Sequence, residues 1–327
     1  MKKDLKIYGE LYYRSFGEHP PVLELKLGEG LLQLVQKDGK EAPLLIELQN
    51  CRKYFDDEYG LIIPKIEVSF NENLQVMEYA FALNAVELER SQVNPDGLDG
   101  KSPEVFIKEH IQKLLRNNIK RILNRSLVIE NINRVRDVNP DIIDDLLFKH
   151  NYPVASLKTI LNWLLEENVS IIDMSTILET IDHYKLICQS KTSESDLVEK
   201  IREKLSLGIL SKCSDKEKIV HGITIAEDVT ELIQQNIINL VDDSPQIALD
   251  PTERRKLMEK ITEEADAFEK KGFYPLVFVC TYYIRRALFS FLERTFDDYF
   301  CISEMEFIEA GENFICKKEG EITFEER

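Results

Sequence analysis

Hydrophobic residues in the middle of the chain recur with the spacing of an α-helix. One apolar stripe consists of Leu157, Ile160, Leu161, Leu164 and Leu165. Such three- and four-residue intervals place side chains on one helix face. A second stripe begins at Ile177 after a short polar break, and Asp173 precedes it where a carboxylate can accept hydrogen bonds from helix-start N–H groups. The pattern therefore predicts a helical hairpin.

Residues 22–93 mix strand and helix patterns. Apolar alternation predicts strands within 22–27, 61–70 and 78–87, and a helix is predicted near 44–55. This mixture predicts an α/β first domain. The preceding residues 1–21 end in Pro20-Pro21 and are predicted to form an extended lead-in.

A turn-rich break, Asn94–Pro103, separates this part from a predicted long helix. Ser102 and Pro103 provide the N-cap residue and first-turn proline expected at a helix start. The apolar stripe of this helix contains Ile107, Ile111, Leu114, Leu115, Ile119 and Ile122. The pattern predicts that the helix continues to about Asn133.

Helical patterns continue to about residue 206, after which strands return. Strands are predicted at Lys218–Ile225, Pro275–Cys280 and Tyr299–Ser303, with helices between them. This alternation favours partly parallel pairing. The predicted class is therefore α+β and multi-domain, with a lead-in at 1–21, a mixed α/β domain at 22–133, an all-helical domain at 134–206 and a small α/β domain at 207–327.

Composition restricts the possible partners. The 327 residues include 42 Lys and Arg against 59 Asp and Glu, a net charge of −17. Such a charge argues against binding nucleic acid or an anionic membrane through the overall field. No segment approaches the ~18 apolar residues of a membrane span, and the start lacks the apolar segment of a signal peptide. We therefore expect a cytoplasmic chain.

The sequence shows no catalytic, cofactor or metal motif. The six cysteines have no C-x-x-C pair, and the five histidines lack the spacing of metal ligands. Neither a G-x-S-x-G nor a phosphate-binding P-loop is present. Acidic pairs such as Asp144-Asp145 fit solvated helix ends or turns better than a cation site. We therefore predict no enzyme, no cofactor and no metal.

Three alternatives remain open at this level. The basic residues Lys108, Lys113, Arg116, Lys120, Arg121 and Arg125 form either a solvated face or a contact with an acidic surface of a neighbouring subunit. The aromatic residues at 282–300 are mostly core, with one or two available for an exposed docking patch. An enzyme using Cys280 or Asp250 at strand ends is the competing class; a depressed pKa at Cys280 would favour it.

Several sequence strings resemble one family. Residues 164–179, read as LLEENVSIIDMSTILE, are similar to an LL-x-E-x-V-S-I-R-D-x-x-T-I-L-E pattern, with Ile172 where that pattern has Arg. Further similarities occur at 23–31, at 60–66, in the Ile201-Arg202 string and at Ile284-Arg285. The chain from about 22 to 320 resembles the cytosolic part of the flagellar and type III secretion export-gate family (FHIPEP, FlhA/InvA-type).

The chain departs from this pattern near 93–102, where the family has a whole small subdomain and about ten residues stand here. The family cleft for chaperone and cargo complexes lies beside that subdomain. At the start of the following helix, the Thr-His of the family is replaced by Glu109-His110.

The resemblance implies a non-enzymatic cytosolic docking platform. It would assemble as a homo-oligomeric ring at the cytoplasmic face of the inner-membrane export apparatus, bind export chaperones, cargo proteins and export ATPase components, and reach the membrane only through a family membrane half absent from this chain. The alternative is a divergent stand-alone paralogue with a structural role or altered partners. Predicted partner-binding residues are Glu109, His110, Lys113, Arg116, Asp173, Ile284 and Arg285.

Overall fold

The computed structural model describes residues 21–35, 42–94, 97–98, 100–136, 139–188, 193–239 and 244–325. The chain forms two compact units, unit 1 at 1–127 and unit 2 at 128–327. Helices and strands occur in both units, as the predicted α+β class requires. The finer division into four parts stays a prediction, and the lead-in at 1–20 lies outside the described residues.

Unit 1 contains a four-stranded sheet of order β2-β1-β3-β4. The strands are β1 (Leu23–Leu27), β2 (Ile66–Phe70), β3 (Glu78–Leu83) and β4 (Val86–Gln92). β1 pairs in parallel with β2 and antiparallel with β3. Alternate residues of β1 are buried, because successive side chains of a strand point to opposite faces. The apolar alternation therefore identified this strand correctly.

Two helices of unit 1 pack against each other, α1 (Pro43–Tyr59) and α2 (Pro103–Asn117). α1 buries Leu44, Leu48, Cys51 and Phe55 along one face. It ends at Gly60, whose φ of 68° is the left-handed conformation that glycine adopts without strain. A short 3₁₀ helix at Glu29–Leu34 follows β1.

The prediction of one long helix is wrong, because three separate helices stand there. The structure has α2, then α3 (Ile119–Ile122) and α4 (Arg125–Arg136). Asn118 interrupts the first helix and donates from Nδ2 to the Leu114 carbonyl at 2.9 Å, while Asn124 Oδ1 accepts from Leu127 N at 3.0 Å at the start of α4. Asparagine side chains compete with the backbone for hydrogen bonds, so they interrupt a helix whose apolar stripe continues. All six predicted stripe residues are buried.

The helices of unit 2 include the predicted hairpin. They are α5 (Pro140–Ile143), continued by a π-helical turn at Asp144–Lys149, then α6 (Val154–Glu166), α7 (Met174–Cys188), α8 (Glu194–Lys204) and α9 (Ser206–Cys213). The five apolar residues predicted on one face of α6 are buried. α8 begins with a capping box, in which Ser193 and Asp196 each bond the backbone N–H of the other.

Unit 2 also contains a parallel sheet of order β10-β5-β8-β9. Its strands are β5 (Ile219–Ile225), β8 (Leu276–Cys280), β9 (Tyr299–Ser303) and β10 (Ile315–Ile322), and a two-residue pair joins β6 (Ile237–Ile238) to β7 (Gln246–Ile247). The remaining helices are α10 (Glu227–Gln235), α11 (Pro251–Lys270), α12 (Tyr282–Leu292) and α13 (Glu304–Ala310), with a 3₁₀ turn at Gly311–Asn313. The predicted strands appear as β5, β8 and β9. β10 was not predicted, because its exposed, charged residues hide the strand pattern.

No helix among the described residues is long and apolar enough to cross a membrane.

Replacing Gly28 by alanine is expected to destabilise unit 1. An added Cβ would lie 2.0 Å from the carbonyl oxygen of Gln75 and 3.0 Å from that of Glu78. Both are backbone atoms, so the chain itself must shift, and overpacking of this kind costs roughly 1–3 kcal/mol. Urea denaturation followed by far-UV circular dichroism measures the change.

Gly208→Ala is the matched control. Gly208 lies inside α9, and no atom stands within 4 Å of an added Cβ. Alanine should stabilise this helix by roughly 0.5–1 kcal/mol. If the two variants changed stability in the same direction, steric contact would not explain the glycine at position 28.

Candidate functional site

The predicted partner residues of unit 1 lie along α2. His110 is half-buried; its Nδ1 lies 2.7 Å from the Tyr79 hydroxyl and its Nε2 lies 3.0 Å from Glu89 Oε1. Burial raises the pKa of Tyr79 to about 12, so the phenol stays neutral. Glu109 is exposed and accepts from Lys101 Nζ at 2.7 Å. His110 therefore ties α2 to the sheet, while Glu109 stands at the surface.

Lys113 is exposed and Arg116 is half-buried on the same helix. Burial raises the pKa of Tyr59, and the positive charge of Arg116 opposes that rise, which places the guanidinium near the phenol. The partner role of all four α2 residues stays a prediction.

Asp173 is the N-terminal cap of α7. Its Oδ1 accepts from Thr176 N at 3.0 Å, and its Oδ2 accepts from Thr176 Oγ1 at 2.7 Å. The capping prediction is therefore confirmed, and the partner role stays a prediction. Ile172, beside it, is 58% exposed.

Ile284 and Arg285 are both 0% exposed. Ile284 belongs to the apolar core of unit 2, and Arg285 belongs to a group of buried charges. Neither side chain lies at the surface in this structure. Their partner role stays a prediction, and their position gives them a structural role in unit 2.

Six charged residues of unit 2 form a buried ion cluster: Glu167, Glu199, Arg202, Arg285, Arg286 and Glu306. Glu167 is its centre. Glu167 Oε2 accepts from Nη1 of Arg202 and from Nη1 of Arg285, each at 2.5 Å. Its Oε1 accepts from Arg285 Nη2 at 3.3 Å and from Arg286 Nη1. One carboxylate thus binds three guanidinium groups.

Glu199 and Glu306 accept further hydrogen bonds from the arginines, whereas the Nε atoms of Arg202 and Arg286 are buried without an acceptor among the described residues. Glu199 accepts from Arg285 Nε at 2.7 Å and also from Arg285 Nη2. Arg202 Nη2 donates to Glu306 Oε1 at 2.7 Å and to the Cys301 carbonyl at 3.1 Å. The cluster therefore joins the end of α6 to α8, α12 and α13.

The arginine charges determine how Glu167 titrates. Burial raises the pKa of this carboxyl, but Arg285, Arg202 and Arg286 outweigh that effect and lower the pKa to about 2. Burial raises the pKa of Glu199, which Arg285 only partly offsets. Burial lowers the pKa of Arg285, but Glu167 and Glu199 reverse this and raise it well above its usual value. Glu167 and Arg285 are therefore both charged at neutral pH.

A cleft of about 720 Å³ opens in unit 2 beside the cluster. α6, α8 and α12 contribute to its walls, and its residues include Trp163, Glu194, Asp196, Tyr282, Tyr283 and Arg286. Tyr282 and Tyr283 are 46% and 40% exposed, whereas Phe289, Phe291, Tyr299 and Phe300 are buried. We call this the aromatic–acidic cleft. The sequence predicted one or two exposed aromatic residues without identifying them.

The residues considered for catalysis have structural environments. Burial raises the pKa of Cys280 well above its usual value, which disfavours the thiolate. Asp250 caps α11 by accepting from Thr252 N at 2.7 Å and Glu253 N at 3.1 Å. Within the described part of the chain, no group of three or more His, Cys, Asp or Glu residues could hold a metal ion.

The ion cluster was not predicted. Glu167, Arg202 and Arg285 each belong to a string used for the family resemblance, but up to 118 residues separate them in the chain. Their charge suggested surface positions, since charged residues are almost never fully buried unless paired. The available signal was the position of Glu167 two residues after Leu165, the last residue of the apolar stripe of α6.

Glu167→Gln is expected to destabilise unit 2 by roughly 3–5 kcal/mol, because it leaves buried guanidinium groups without their central anion. Trp163 is the only tryptophan of the chain, and Arg286 Cζ lies 5.0 Å from the centroid of its ring. Its fluorescence therefore reports the unfolding of unit 2 in urea. Glu263→Gln is the control, because the Glu263 side chain is 69% exposed in its pair with Lys260. It should change stability by less than roughly 0.5 kcal/mol. Equal effects of the two variants would contradict a dominant role for Glu167.

The stability of unit 2 is also expected to depend on pH through Glu167. The folded pKa of about 2 lies below the ordinary value of 4.5, so its contribution is present above that value and is lost as pH falls towards 2. Glu199, whose pKa is raised, opposes this trend in the acid range. Urea midpoints measured from neutral to acid pH should fall more steeply for the wild type than for Glu167→Gln. Parallel curves would show that Glu167 has no depressed pKa.

Comparisons with known proteins support one family. The sequence profile of the FHIPEP family matches residues 18–100 and 96–311. The flagellar biosynthesis protein FlhA of Treponema pallidum is 25% identical over 350 aligned positions, covering 93% of this chain and 48% of the relative. The putative truncated flagellar export/assembly protein LfhA of Escherichia coli K12 is 20% identical, covering 70% of this chain and 45% of the relative. The chain thus spans about half the length of the curated relatives it matches.

Solved structures share the fold. The Chlamydia pneumoniae CdsV protein superposes with a TM-score of 0.80 at 19% identity, covering 95% of this chain and 99% of the other. CdsV in its complex with CdsO superposes with a TM-score of 0.79 at 19% identity, covering 94% of this chain and 99% of the other. The nonameric SctV-C of EPEC superposes with a TM-score of 0.75 at 18% identity, covering 94% of this chain and 100% of the other. With the profile match over most of its length, the chain belongs to the FHIPEP family.

Proposed function

We propose that this chain is a cytosolic docking platform of a flagellar or type III protein export gate. It assembles as a homo-oligomeric ring at the cytoplasmic face of the inner membrane, binds export chaperone–cargo complexes and export ATPase components, and catalyses no reaction. The observation that carries this proposal is family membership combined with a fold shared over almost the whole chain with a nonameric cytosolic domain.

Two features support binding rather than catalysis. CdsV, which has the same fold, has been solved in complex with a second protein, CdsO. Glu167 and Arg285, whose pKa values are strongly shifted, neutralise each other in the interior of unit 2. Strong shifts of this kind also arise in structural ion networks.

A structural paralogue with altered partners is the second candidate, and one observation favours it. The alignment with the Treponema pallidum protein is 350 positions long although this chain has 327 residues, so the relative contains residues that this chain lacks. We place the missing residues in the break near 93–102, where the sequence departs from the family pattern. Loss of the subdomain there would remove one wall of the family chaperone cleft.

The test is retention of partners by the full chain, immobilised and exposed to lysate of the source cell, with mass spectrometry of the bound proteins. Export chaperones, cargo or ATPase-complex subunits are expected. Lys113→Glu should lower their amount by about tenfold, because charge reversal within an interface opposes association. Lys270→Glu, an exposed change at the end of α11, is the control and should retain the wild-type amount.

Other results would redirect the assignment. Recovery of gate components alone would favour the structural paralogue and contradict chaperone docking. Recovery of proteins unrelated to export would contradict both candidates. Equal losses with Lys113→Glu and Lys270→Glu would show that α2 is not part of the binding surface.

A further inference from the structure

The aromatic–acidic cleft has the size and exposure of a recognition site. Its volume of about 720 Å³ lies within the roughly 300–1,000 Å³ of known ligand pockets. Its walls combine apolar side chains, such as Ala155 and Ala287, with polar ones. A cleft of this kind can hold a few side chains of an extended or helical segment.

The charges of the cleft favour a cationic occupant. Glu194, Asp196 and Glu199 line it on α8, Glu199 being already bonded to Arg285, and Arg286 is the basic residue that lines it among the described residues. Arg286 is already neutralised, because Nη1 bonds Glu167 and Nη2 bonds Glu166 at 3.0 Å. Glu194 and Asp196, the acidic residues of the first turn of α8, therefore dominate the field of the cleft, in a chain of net charge −17.

Neighbouring groups leave this negative field in place. Asp196 accepts from Ser193 N at 3.1 Å and Ser193 Oγ at 2.7 Å, and both donors are neutral. Lys200 lies close enough to Tyr282 to be influenced by it, but its ammonium is 2.7 Å from Glu203. Arg286 and Lys200 are thus matched by carboxylates that do not line the cleft, namely Glu166, Glu167 and Glu203.

The aromatic residues add a second attraction for a cation. Tyr282 and Tyr283 are exposed and pack edge to face, with ring centroids 5.4 Å apart at 84°. Trp163 lies deeper and is 6% exposed, with Arg286 over its ring. An ammonium or guanidinium over a Tyr or Trp face is attracted by the ring quadrupole. Aromatic rings beside carboxylates are therefore suited to Lys and Arg side chains.

An anionic occupant is the competing possibility. The Nε of Arg286 is buried without a hydrogen-bond acceptor among the described residues, and helix N-termini attract anions. The N-terminus of α8, however, is already satisfied by its own capping box. Two carboxylates at the opening oppose the approach of an anion more strongly than one buried N–H attracts it.

We propose that the aromatic–acidic cleft docks a basic peptide segment of a partner protein, with a Lys or Arg side chain between the exposed tyrosines and the carboxylates of α8 and an adjacent aliphatic side chain against the alanine wall. The inference rests on this geometry and does not depend on the proposed export function.

The test uses the only tryptophan of the chain, Trp163, which lines the cleft. The full chain is titrated with a short tryptophan-free peptide of Lys, Leu and Gly, and separately with the same peptide carrying Glu in place of every Lys. The basic peptide should change the Trp163 emission and lower its quenching by acrylamide, with weaker binding as salt is added. The acidic peptide should do neither.

Matched variants separate the cleft from the general negative field. Glu194→Lys and Tyr283→Ala should each weaken the basic peptide by roughly tenfold, through charge reversal and loss of a cation–π partner. Glu263→Lys makes the same charge change on exposed α11 and should alter affinity less than roughly twofold. Circular dichroism checks that each variant is folded, and Tyr283→Ala leaves the net charge unchanged.

Three results would overturn the proposal. Equal weakening by Glu194→Lys and Glu263→Lys would show attraction to the whole chain. Binding of the acidic peptide with the Trp163 response would assign the cleft to anions. Binding of the basic peptide without any Trp163 response, and unaffected by Tyr283→Ala, would place it elsewhere.

Discussion

The carboxylate of Glu167 lies in the interior of unit 2 with guanidinium groups from Arg202, Arg285 and Arg286 around it. A charge of this kind is expensive to remove from water, and only close opposite charges with good hydrogen bonds can offset the loss. The arrangement meets this condition, because both oxygens of Glu167 accept hydrogen bonds, and Glu199 and Glu306 accept further guanidinium N–H groups. The packing of α6, α8, α12 and α13 depends on this balance.

The cluster also connects two parts of unit 2 that were predicted to be separate domains. Glu167, Glu199 and Arg202 belong to the part predicted as a separate helical domain, whereas Arg285, Arg286 and Glu306 belong to the part predicted as a C-terminal α/β domain. Separating these parts would leave Arg285, Arg286 and Glu306 without their ion-pair partners, while Glu167 and Arg202 would keep only each other. Any relative motion between them must therefore conserve the cluster or replace its bonds with water.

Local patterns predicted the elements of the fold better than their ends and their contacts. The apolar stripe of α6 determined a helix whose predicted face is buried, because packing and periodicity agree there. The stripe after Ser102 predicted the buried residues correctly but predicted one helix where the structure has three. Asn118 and Asn124 interrupt the helix without interrupting the apolar stripe. β10 lacked a signal because its residues are mostly exposed and charged.

The site was harder to predict than the fold, because it is formed by contacts between side chains that are far apart in the sequence. Ile284 and Arg285 were identified from a family string and predicted to bind partners, yet both are in the interior. A sequence cannot show that an arginine meets a glutamate more than a hundred residues away.

Directional bonds give the ion cluster an effect that an apolar core would not have. A hydrophobic replacement of buried ion pairs is often equally stable, but it does not fix the rotation of a helix as a planar guanidinium with several acceptors does. Arg285 and Arg286 fix the first turns of α12 in this way. The consequence appears within four residues, because Ile284 and Arg285 face the interior while Tyr282 and Tyr283 are exposed at the cleft. A buried charge balance thus determines which side chains are exposed at the cleft.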